Sequence, residues 1–105
     1  MSDDRPISEV YRIAAKAWVE KEAAASLLEE TKSSVLSERM AALGDIPVSR
    51  AEMTVKASPE WRDFIGQMVE ARKDANLAKV RLEWVRMTFQ ERMSAEASAR
   101  AESRL

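Results

Sequence analysis

The chain has 105 residues, a formal net charge of −1 from 17 Lys and Arg against 18 Asp and Glu, no Cys and no His. That length limits it to one domain, and the missing Cys and His exclude disulfide frameworks, thiol nucleophiles and His-centred metal or acid–base sites. Balanced charge argues against a strongly basic nucleic-acid binder, and 17 of the hydrophobic residues are Ala, so bulky core material is scarce.

The opening MSDDRPISEV is acidic and lacks an apolar signal core. No stretch approaches the roughly 20 apolar residues that a bilayer crossing needs, so no membrane association is expected and the protein reads as cytoplasmic. Residues 1–7 are expected to be a flexible N-terminus. A first helix is predicted from about 8 to 43, capped by Ser8 or by Asp3 and Asp4, whose carboxylates suit the positive end of the helix dipole. Its apolar stripe runs through Val10, Ala14, Ala17, Ala24, Leu28 and Val35, widened by Tyr11, Trp18, Ala25 and Leu27 and interrupted by Lys21 and Thr31. Gly44 offers a left-handed cap, and Pro47 follows.

Residues 44 to 58 contain a second signal. Ser49 and Glu52 have capping-box spacing, which predicts a short helix from Arg50 to about Ala57, with Met53 and Val55 or Ala57 covering the end of a core. The next helix has the clearest start: Ser58 as N-cap, Pro59 at the first helical position and Glu60 in the first turn. From Trp61 an apolar residue recurs every seven positions through Met68, Ala75, Leu82 and Phe89, shadowed by Phe64, Ala71, Ala78 and Val85. This periodicity predicts a long packed helix over about 59–100, with 95–105 a fraying, solvated tail.

Two long helices and one connection predict an all-α, antiparallel two-helix hairpin with coiled-coil-like packing, a single domain over 1–105. With Leu43 opposite Pro59, facing residue numbers sum to about 102, which sets Leu28 near Ala75, Trp18 near Trp84 and Ala14 near Phe89. A hairpin has one inside, yet Leu77 and Trp84, and Val80 and Met87, form seven-residue pairs off the main seam. This second apolar edge predicts a homo-oligomeric helical bundle, dimer or higher, or a protein partner.

Chemistry-bearing patterns are few. The carboxylate pairs Asp3 and Asp4, Glu20 and Glu22, and Glu29 and Glu30 point apart as helix neighbours and read as solvated surface, so no catalytic, cofactor or metal site is expected. Arg72, Lys79 and Arg86 are seven apart beside the seam. They read either as flank charges that pair with Glu22 and Glu29 or, with Lys73, Arg81 and Arg92, as a rail for nucleic-acid phosphates. Three Trp residues fit core or self-association before base stacking. In layout, and in the run SPEWRDFIGQMVEARKDANLAKVRLEWVR, the Ala-rich first helix with Tyr11, the Ser58–Pro59 start and the stretch Ala71 to Arg86, the chain resembles small helical-hairpin proteins encoded by bacteriophages and prophages. That resemblance implies an accessory role near replication or recombination. The expected function is a non-enzymatic, self-associating interaction or scaffold protein, with sequence-independent nucleic-acid binding as the alternative.

Overall fold

In the computed structural model, which describes residues 4–104, three helices follow one another: α1 (Ile7–Ala41), α2 (Val48–Lys56) and α3 (Pro59–Ser103). The long pair α1 and α3 pack side by side as an antiparallel hairpin, α2 closes one end, and the particle measures 83 × 21 × 20 Å. The all-α hairpin expected from periodicity is therefore present, with shifted boundaries.

Helix α1 starts one residue early. Pro6 holds the cap position with no side-chain cap bond, its carbonyl accepting from the Glu9 and Val10 amides at 2.9 and 3.1 Å, so neither Ser8 nor Asp4 caps. Asp3 lies outside the described residues. At the other end α1 stops at Ala41, and Gly44 takes φ +87°, the left-handed geometry anticipated for it. The register differs as well: Arg72 meets Glu29 and Glu22, so facing numbers sum to 101 or less. Ala14 accordingly clusters with Leu82 and Val85, not with Phe89.

Two heptad rows of α1 line the hairpin, Ile7, Ala14, Leu28 and Val35 in one and Tyr11, Trp18 and Ala25 in the other, all buried or half-buried. Exposed Lys21 interrupts the first row. Ala24 and Leu27, assigned to the stripe from sequence, are exposed, whereas Ala25 is fully buried. Three consecutive alanines offer no difference in size to set the phase, and packing settled it. Thr31 fits the half-buried face by donating its hydroxyl to the Leu27 carbonyl at 2.8 Å.

The connection also departs from expectation. Helix α2 begins at Val48 behind Pro47, with no side-chain cap bond, so Ser49 lies inside it and the proposed capping box is not used. Ala51 and Val55, one helical turn apart, face the hairpin, and Met53 between them points away, 74% exposed. Val48 is exposed too. Helix α3 starts as expected: the Ser58 hydroxyl accepts the Trp61 amide at 3.2 Å and donates to the Val55 carbonyl at 2.6 Å, tying α2 to α3. Trp61 is buried and stacks on Phe64 with ring centroids 5.6 Å apart.

Along α3 the buried positions are Trp61, Ala75, Leu82 and Val85, with Phe64, Met68, Ala71 and Ala78 half-buried. The seam fades at Phe89, 41% exposed, because α1 begins at Ile7, which lies with Phe89 and Gln90 around the cleft at the open end. Beyond that level α3 has no helix beside it. It continues to Ser103 as an overhang whose residues are all exposed.

Candidate functional site

The second apolar set sits on α3 on the side away from α1. Val69, Leu77, Val80, Trp84 and Met87 are 57–65% exposed. At about 100° per residue, buried Leu82 and exposed Trp84 point roughly 160° apart, and the five exposed side chains fall within an arc of about 80°. The set is thus a back face opposite the seam, not an edge adjoining it as the sequence suggested. Leu77, Val80, Arg81 and Trp84 line a shallow depression there. The exposed side chains together leave on the order of 500 Å² of apolar surface, as large as the biggest patch a lone soluble protein usually shows. Helix α1 carries a sparser set, exposed Ile13, Val19 and Leu27, spread over an arc of about 120° with no two of them closer than six residues.

The basic row divides. Arg72, half-buried, makes a forked bond to Glu29, with Nε to Oε2 at 2.9 Å and Nη2 to Oε1 at 2.6 Å, and uses Nη1 to reach Glu22 Oε2 at 2.6 Å. Glu22 and Glu29 are seven residues apart on α1, so one guanidinium bridges two turns of the opposite helix. The bond from Arg72 holds the Glu29 carboxyl below the ordinary carboxylate value of 4.5, and the two carboxylates raise the Arg72 pKa further. Flank pairing is what Arg72 does. Lys79 and Arg86 have no ion-pair partner among the described residues, and Arg86 instead lines a cleft of about 420 Å³ at the open end with Ile7, Ser8, Tyr11, Phe89 and Gln90. Lys73, expected in the same basic group, lies on the back face and makes a long 3.4 Å contact with exposed Glu70.

The carboxylate pairs behave as surface. Asp4, Glu20, Glu29 and Glu30 are exposed, and only Glu22 is half-buried, beside Arg72. Among the described residues no group of three potential ligands could hold a metal ion. No described helix is long and apolar enough to cross a membrane.

Two features were missed in the sequence. The guanidinium of Arg39 lies over the Phe64 ring, its Cζ 6.0 Å from the centroid, and its Nη1 is buried without a hydrogen-bond partner at the closed end. Their facing levels on the hairpin could have exposed the pair. The apolar cleft under Arg86 arises where the seam runs out near Phe89, which needed the true start of α1. Comparison with protein-family models, curated proteins and solved structures finds no match to this chain.

Proposed function

We propose that the chain is a non-enzymatic, self-associating helical module that acts as an interaction scaffold, joined through the back face of α3. The observation that carries this reading is the row Val69, Leu77, Val80, Trp84 and Met87, left in water on the one helix whose other side is already filled by α1. A patch of this size is at the upper end for a lone soluble protein, and the largest patch of a protein is often functional. Indole rings are favoured at protein contacts because they remove much apolar area at little cost in rotamer entropy. The nucleic-acid reading retains Lys79 and Arg86 but loses Arg72 to two carboxylates, so the second-copy reading is the better supported.

Light scattering coupled to size exclusion tests it. The native chain is expected to run as a dimer or larger species at micromolar concentration. Trp84→Glu should shift it toward the 11.8 kDa chain mass while circular dichroism keeps its helical signal. A native chain that is fully folded and monomeric under these conditions overturns the proposal.

A further inference from the structure

The back face of α3 has a spacing that is the same from either end and ends of opposite charge. Its central positions are Lys73, Leu77, Val80, Trp84, Met87 and Glu91, with steps of 4, 3, 4, 3 and 4 residues. Four apolar side chains are bracketed by a cation at one end and an anion at the other. Such a face is complementary to itself turned end for end. When residue numbers on two facing copies sum to 164, Lys73 meets Glu91, Leu77 meets Met87, and Val80 meets Trp84, each twice. Resting on the self-association reading, we infer that two hairpins join back to back through antiparallel α3 helices, with a twofold axis level with Leu82.

Three observations favour this occupant and this direction. First, a parallel pair would set Lys73 against Lys73 and Glu91 against Glu91 at the helix–helix contact, where like charges are costly, whereas the antiparallel pair turns both into opposite-charge contacts. Arg81 and Glu83 lie beside the axis next to their own counterparts, but both are exposed flank residues whose heads can swing into solvent at small cost. Second, the overhang of α3 acquires a partner. In this register Ser94, Ala95 and Ser98 are level with Glu70, Val69 and Gly66 of the second copy, so small residues of the overhang meet the stretch of the back face that precedes Lys73. An exposed, Ala-rich helical extension beyond the end of α1 is otherwise without a packing role. Third, the contact is large enough. Two patches on the order of 500 Å² each, extended by the polar positions and the overhang, reach the roughly 1,200 Å² of a specific interface.

The geometry also defines the assembly. Because the back face is opposite the seam, the dimer is a row of four helices, α1, α3, α3 and α1, and not a square bundle in which every helix borders two others.

The test uses the absence of native Cys. Lys73→Cys and Glu91→Cys chains are prepared separately and treated with a short bis-maleimide, alone and mixed, with mass measured by light scattering beforehand. The expected result is a covalent dimer from the mixture only, because Lys73 and its own counterpart stand about 27 Å apart in the antiparallel register at 1.5 Å per residue. Self-linking of Lys73→Cys as efficient as linking in the mixture, or no linking in a sample that scatters as a dimer, overturns the register while self-association stands. A monomer overturns both. Charge exchange gives an independent reading: Lys73→Glu and Glu91→Lys should each weaken the dimer about 10-fold, and the double exchange should restore it. Failure of the double exchange to restore affinity counts against the pairing.

Discussion

Truncating Leu82 and Leu77 to Ala, one at a time, separates the two faces of α3. Leu82 is 7% exposed in a cluster with Ala14 and Val85, backed by half-buried Tyr11 and Trp18, whereas Leu77 is 58% exposed on the back. Replacing Leu82 removes three buried carbons, about 2.4 kcal/mol at roughly 0.8 kcal/mol each. A further cavity contribution is small, because neighbours that are only half-buried can settle inward, so the expected loss is about 2.5–3.5 kcal/mol, toward the low side for Leu→Ala. That is a large share of the roughly 5–15 kcal/mol available to a chain of this size. Leu77 loses less than half of the same transfer free energy, about 1 kcal/mol, when hairpins are separate. Urea unfolding followed by circular dichroism at 222 nm, at a low and a high protein concentration, measures both. The Leu77→Ala loss should grow with concentration as the second copy covers the site, and the Leu82→Ala loss should dominate in the dilute sample. Equal losses for the two variants in the dilute sample would falsify the assignment of inside and back.

Further outcomes follow from single positions. Gly44 has φ +87° and open space around its Cα, so Gly44→Ala should destabilise by about 1–2 kcal/mol through backbone strain alone. Gly66, in the interior of α3 with nothing near an added methyl, should become about 1 kcal/mol more stable as Ala, measured by the same urea transitions. Ser58→Ala removes the cap of α3 and the link to α2, and a loss of about 1 kcal/mol is expected, with Ser58→Gly milder. Glu29 has a depressed folded pKa, so its contribution is present above the ordinary value of 4.5 and is lost as pH falls through the lower folded value, while Arg72 stays charged. Glu29→Gln should therefore be less stable than the native chain at neutral pH, and the difference should vanish in acid. A difference that persists unchanged at pH 2 refutes the ion-pair account.

Much of the fold was legible because its causes are local. Ser58 followed by Pro59 sets a helix start by chemistry within one turn, and the seven-residue recurrence from Trp61 to Val85 needs no knowledge of the partner to define a packed face. Gly44 was legible for the same reason, since few residues accept φ +87°. The phase of α1 was not, because Ala23, Ala24 and Ala25 differ only in which one meets the other helix. Nor was α2, where Ser49 and Glu52 matched a cap motif that a start two residues earlier left unused.

The candidate surface divides along the same line. Periodicity alone placed Leu77, Val80, Trp84 and Met87 outside the seam, and the order of Lys73 and Glu91 around them is a property of the chain itself. Tertiary structure decided that Arg72 is held by Glu22 and Glu29 together, because where its head lies depends on the register between α1 and α3. It also decided that the apolar row is a back face and that α3 overhangs its partner helix. A helix carries its own pattern of faces from sequence, but which face is covered, and over what length, depends on where the other helix begins and ends.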